Sequence, residues 1–180
     1  MQQESDALLD HFRSFAAYNA WANTRLYAAA LDLSDEDYRR PVGVFFGSLH
    51  GTLNHLLAAD RIWLKRLTGQ GEAPTRVDAI LVDDLLALAR ARLAEDARIE
   101  ATIAGYDEAA LGRTLAYVTT SGAAHEQRVA DILAHVFNHQ THHRGQAHSA
   151  LSILTQREPP SLDLLQFQRG VPAPDLTALL

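Results

Sequence analysis

Apolar side chains in this chain recur at spacings of three and four through four long stretches, the period of a helix that buries one face. The first runs from about residue 5 to 31, with Leu8, Leu9, Phe12, Phe15, Ala16, Asn19, Ala22, Leu26 and Ala30 in register. Residues 32–47 follow as a connector, in which Ser34, Asp35, Glu36 and Asp37 suit the start of a short helical turn and Pro41, Gly43 and Gly47 break it. A second helix over about 48–68 is apolar most of the way round and ends at Gly69-Gln70-Gly71, a pattern that predicts burial on a broad arc. The third spans about 78–104, with Leu81, Leu85, Leu88, Leu93 and Ile99 among its core candidates and Gly105 at its stop. Residues 113–118 and 125–129 read as two short strands around TTSGAA, a hairpin that needs helices to pack on. The fourth helix covers about 130–155 and stops before Pro159-Pro160.

Four long helices with these connections imply an all-α four-helix bundle with a small β-hairpin before the last helix, a single domain over 1–180. From Ser161 a tail follows whose LDLLQF segment is apolar enough to dock on the bundle. The 180 residues, 47% hydrophobic and 21% charged, suffice for one core without staples. There are no cysteines, which excludes disulfides, thiolate metal sites and a cysteine nucleophile. No apolar run approaches the roughly 20 residues that cross a bilayer, and MQQESDALLDHFR lacks the basic start of an export signal, so a cytoplasmic protein without a membrane partner is expected. The net charge of −6 carries no basic stripe, which argues against a nucleic-acid partner. Phosphate loops, serine elbows and dinucleotide fingerprints are also missing from the sequence.

The chemistry that remains is in the histidines. Nine are present, five of them between His135 and His148. At about 100° per residue, His139 and His143 fall in the middle of the stripe formed by Ile132, Val136, Ala150 and Leu154. One histidine on an apolar face is usually a core residue satisfied by hydrogen bonds. Two at i and i+4 bring their rings to neighbouring turns and suit one shared ion, whereas burying both without a metal would require partners for up to four ring nitrogens. A third ligand would come from the second helix, where His50 and His55 lie on opposite flanks; the small and apolar neighbours Ala59, Ile62 and Trp63 mildly favour burial of His55. His135 and His142 stand to one side of the stripe, as supports of the site or as surface residues. His11 and His148 are peripheral, and His125 lacks the second histidine of an H-E-x-x-H motif. Asp60, on the leucine side of the second helix, and His142 are candidate acid–base helpers, and Asp60 is equally well read as a buried hydrogen-bonding or interface residue.

Three strings then mark a resemblance: Tyr18-Asn19-Ala20-Trp21-Ala22-Asn23; Leu53-Asn54-His55-Leu56-Leu57 with Asp60-Arg61-Ile62-Trp63; and Asn138-His139-Gln140-Thr141-His142-His143-Arg144-Gly145-Gln146. Spread over nearly the whole chain, they resemble the DinB/YfiT-like superfamily of metal-binding bundles. The resemblance implies an up-down-down-up bundle and His55, His139 and His143 as ligands of a divalent ion such as zinc, nickel or iron. It also implies a damage-inducible, metal-dependent enzyme acting on a small molecule, as a transferase using a low-molecular-weight thiol or as a hydrolase. The alternative is a metal-stabilised bundle that binds a ligand or partner without catalysis. Bundles of this family commonly pair, and the all-round apolar second helix leaves surface to cover, so a homodimer is expected.

Overall fold

In the computed structural model, which describes residues 2–179, five helices start at a serine or aspartate whose side chain accepts from an amide of the first turn. Helix α1 spans Gln2–Ala30. The connector holds α2, Asp35–Arg39, whose N-terminus is capped by the Ser34 hydroxyl accepting from the Asp37 amide. Helix α3, Leu49–Thr68, is opened by Ser48 and closed by Gly69 in the left-handed conformation, φ 72°. Helix α4 is Leu85–Ala104 and α5 is the short Glu108–Gly112. Strands β1, Thr114–Val118, and β2, Ala124–Arg128, pair antiparallel, with Tyr117 opposite His125. Helix α6 is Val129–Thr155, and α7, Leu164–Gln168, takes in the last four residues of the LDLLQF segment.

The expected start of the third helix at residue 78 is wrong by about two turns. Asp84 takes the cap position, its carboxylate accepting from the Ala87 amide, and the chain before it has no regular secondary structure. The Asn54 side chain of α3 holds that segment. Its oxygen accepts from the Leu81 and Val82 amides at 2.8 and 3.0 Å, and its nitrogen donates to the Val82 carbonyl at 3.0 Å. A side chain that satisfies three backbone groups competes with the helix for them and wins. Leu81 therefore packs on the core from a strap and not from a helix.

Residue pairs fix the directions of the helices. His55, Asp60 and Trp63 of α3 meet His139, Gln140 and His135 of α6, so these two run oppositely. Asp60 and Gln70 meet Arg92 and Arg98, so α4 runs with the direction of α3. Phe12 and Asn19 meet Phe137 and Arg144, so α1 runs with α6. The order is up-down-down-up.

Two apolar clusters fill the bundle, one around Leu26, Leu53, Leu56, Leu88 and Leu151, the other around Phe12, Leu64, Ile99, Val136 and Phe137. Between them lies a belt of buried polar side chains. Arg92 on α4 donates to Asp60 at 2.7 Å and pairs with Asp96 at 2.9 Å. Asp96 also accepts from Asn19 at 3.1 Å and Asn23 at 3.0 Å, while Arg144 donates to the Asn19 side-chain oxygen. Gln140 donates to Asp60 at 2.6 Å and to the Leu56 carbonyl at 3.1 Å. Both carboxylates face the one Arg92 guanidinium, while Arg144 is bonded to neutral groups and balances their second charge only through space, so the belt is neutral as a whole. The hairpin packs Tyr117 on Trp63 at 5.2 Å, which gives it the support that two strands alone lack. The tail docks Phe167 against Tyr18 and Trp21. Among the described residues no helix is long and apolar enough to cross a membrane.

Candidate metal centre

Where α3 and α6 meet at the level of the polar belt, the structure brings His55, His139 and His143 together. One nitrogen from each lies within 4.8 Å of the other two. The Nε2 atoms of His55 and His139 are 3.2 Å apart, the separation of two ligands about 2.1 Å from one ion and about 100° apart around it. Ring centroids of His143 lie 4.3 Å from those of both other rings. His55 is buried at 3% exposure, while His139 and His143 are only half-buried, so the expected core stripe is open on one side at these two rings.

The remaining ring nitrogens decide which tautomer each ring adopts. His55 Nδ1 donates to the Val77 carbonyl at 2.7 Å, and His143 Nδ1 donates to the Gln146 side-chain oxygen at 2.9 Å. Both contacts fix the proton on Nδ1 and leave the Nε2 lone pair for an ion. Electrostatics points the same way. Burial is the main cause that lowers the pKa of His55 to about 4, and burial with the neighbouring His143 and His55 lowers that of His139 to about 3. The His143 pKa is also lowered by burial. All three are thus neutral at pH 7, the form that ligates. The donor set fits a divalent metal: three neutral nitrogens, two with their outer nitrogens anchored to oxygen.

Phe46 covers part of the cluster. Its ring stacks on His55 at 3.8 Å and meets His143 edge-on at 5.5 Å. Gly51 permits this, because a Cβ there would collide with the Phe46 carbonyl oxygen. The next side chain, Phe45, is 81% exposed.

The other histidines separate from the cluster. His50, the alternative on α3, faces Tyr38 at 5.1 Å and lies 3.4 Å from Asp83, on the opposite flank of the helix. His135 packs on Trp63 and sits 5.7 Å from the His139 ring; His142 packs on His143 at 4.7 Å and meets Gln146. His125 stacks on Tyr117 in the hairpin, His148 contacts the Pro160 carbonyl, and His11 lies on Phe15. Both oxygens of Asp60 are engaged by Arg92 and Gln140, so the hydrogen-bonding role describes it. Sequence reasoning missed Phe46, Val77 and Gln146, none of which carries a metal-ligand signal. It also missed Arg92 and Asp96, although a charged i, i+4 pair inside the Leu88 to Ile99 stripe is a legible sign of a buried ion pair.

Fold and site together define a four-helix bundle with a three-histidine cluster that could hold one metal ion. The DinB family model matches residues 1–174, and the chain belongs to the DinB family. Protein DinB of Bacillus subtilis (strain 168) is 26% identical over 136 residues, covering 71% of this chain and 77% of that protein. A crystal structure of a DinB-like protein from Bacillus cereus ATCC 10987 matches with a TM-score of 0.62 at 16% identity, covering 82% of this chain and 95% of that one. At that identity the likeness shows the fold.

Proposed function

We propose that this protein binds one divalent metal ion through His55, His139 and His143 and acts with it as an enzyme on a small molecule, by thiol-dependent S-transfer or hydrolysis. The observation that carries this reading is the pair of outer hydrogen bonds from His55 and His143, which commit their Nε2 atoms to a common point. Zinc, nickel and iron all accept three imidazoles. An ion held by three neutral ligands keeps its full charge and supplies Lewis-acid chemistry to a water, a carbonyl oxygen or a thiolate. The chain's own contribution is to keep the rings neutral by burial, to orient them through Val77 and Gln146, and to leave one side open at His139 and His143. Phe46 forms an apolar wall beside that opening.

The test is elemental analysis of untagged protein, followed by thiol-conjugation and ester-hydrolysis screens on the metal-loaded material. About one equivalent of metal and turnover that disappears in His139→Ala is the expected result. A full metal complement with no turnover in either screen supports the second reading, a metal-stabilised bundle that binds a ligand without catalysis; the coverage of His55 by Phe46 is what favours it. We also propose, on the family resemblance alone, a cytoplasmic homodimer, for which sedimentation should give twice the 19.8 kDa chain mass.

A further inference from the structure

On the side of α6 away from the histidine cluster, α1, α6 and the tail enclose an open cavity of about 350 Å³, within the size range of small-molecule sites. Its wall includes Tyr18, Thr141, Arg144, Gly145, His148 and Leu162, with Glu158 also lining it. Thr141, Gly145 and His148 fall roughly 170° round the helix from His139 and His143, so the two places are served by opposite faces of one helix.

Two features of the wall are unexplained by the fold. Arg144 is 2% exposed, yet the hydrogen-bond partners it has among the described residues are neutral: the Asn19 side-chain oxygen, the Thr141 hydroxyl at 3.4 Å and the Tyr18 hydroxyl. Its carbon Cζ sits 5.3 Å over the Tyr18 ring. The belt carboxylates Asp96 and Asp60 are already held by other partners and reach Arg144 only through space. A guanidinium presents five donors in a planar fork matched to a carboxylate, and three neutral acceptors leave that capacity incomplete. The second feature is Gly145. Glycine is, after proline, the residue a helix interior tolerates worst. It sits mid-helix in α6, and a Cβ added there would meet nothing within 4 Å. No neighbour among the described residues needs the room. The space that this glycine keeps clear is the cavity.

We propose that this cavity is a binding site for a small monocarboxylate, its carboxylate group on the Arg144 guanidinium and the Thr141 hydroxyl and its apolar body between the Tyr18 ring, Gly145 and Leu162. Glu158 repels a second negative charge, which sets the preference for one carboxylate over two. Arg144 fixes the position of the charged end because its side chain is already held by Asn19 and Tyr18.

The experiment uses benzoate as the probe, with benzamide, benzylamine and phthalate as neutral, cationic and dianionic controls of similar shape. Binding is followed by saturation-transfer NMR and calorimetry on the full chain, as purified and after dialysis against a chelator, because a carboxylate also ligates metal. Benzoate should bind in both preparations, with the three controls at least about tenfold weaker. Gly145→Leu, which places a side chain in the cavity while improving helix propensity, should abolish benzoate binding with an unchanged or higher melting temperature. Arg144→Gln should bind benzoate and benzamide alike where it folds. Equal binding of all four probes, benzoate binding that vanishes with the metal, or benzoate binding retained in a folded Gly145→Leu protein would each overturn the assignment.

Discussion

A histidine becomes a ligand through what its second nitrogen does. His55 and His143 donate from Nδ1 to Val77 and Gln146, and burial holds all three rings of the cluster neutral. If the three rings hold an ion as proposed, removing one leaves two and a gap, so His143→Ala should lower metal affinity by orders of magnitude in calorimetric titration. His125→Ala, in the hairpin, should leave it unchanged. The same depressed pKa values contribute a pH dependence of stability in metal-free protein, opposed in part by Asp60, which burial raises to about 6. His55 and His139 fall to about 4 and about 3 when folded, below the roughly 6.5 of an unfolded histidine, so the unfolded chain takes up protons first as pH drops. Their contribution is fully present above about pH 6.5 and is lost as pH falls from there towards 4 and 3. Urea midpoints measured at pH 7.5 and pH 5 should therefore drop, and the drop should shrink in His139→Leu. Midpoints that move equally in the two proteins would contradict the assignment.

At the scale of the element, the strap before α4 and the turn before α3 make the site. Neighbouring residues of α3, Asn54 and His55, both hold the strap: Asn54 by three hydrogen bonds to Leu81 and Val82, His55 by one to Val77. Asn54→Ala removes the clamp and leaves three backbone groups without their partner. The strap can turn some of them to water, so the expected loss is about 2 kcal/mol in denaturant unfolding. With Val77 no longer held, His55 loses the acceptor that orients it, and metal affinity should fall about 10–100-fold. Hydrogen exchange at the Leu81 and Val82 amides should rise in the same variant. An Asn54→Ala protein with native exchange and native metal affinity would show that the strap is held by its apolar packing alone.

Across the whole molecule, the polar belt ties all four long helices at one level, between two apolar clusters that have no polar reason to choose a register. Arg92 is its centre, 1% exposed and facing both Asp60 and Asp96. Arg92→Met keeps the volume but leaves two buried carboxylates without their guanidinium, a change that should cost about 3–5 kcal/mol by urea denaturation. A triple replacement of Arg92, Asp60 and Asp96 by apolar residues should recover much of that loss, because no unpaired charge remains. If the single variant is as stable as the parent protein, the belt is not what sets the helix register.

The sequence by itself determined the four long helices apart from the start of α4, the hairpin and two of the three clustered histidines. These are local properties. A period of 3.6 residues reports which face is buried, caps and glycines report ends, and His139 with His143 at i and i+4 must project from adjacent turns whatever surrounds them. The resemblance of Asn54-His55 and the other strings extended that reading to the third histidine, which periodicity had left undecided between His50 and His55. Tertiary structure decided what depends on long-range partners. Asn54 captured residues that have helical periodicity and turned them into a strap, displacing the start of α4 from residue 78 to Leu85. Likewise, Val77 and Gln146 set the tautomers, Phe46 covers one side of the cluster, and charges in the stripe of α4 found partners on α1 and α3. The physical reason is common to all of these. The spacing of residues along one helix fixes which of its own side chains share a face, but a hydrogen bond or ring contact between elements depends on how the whole chain packs.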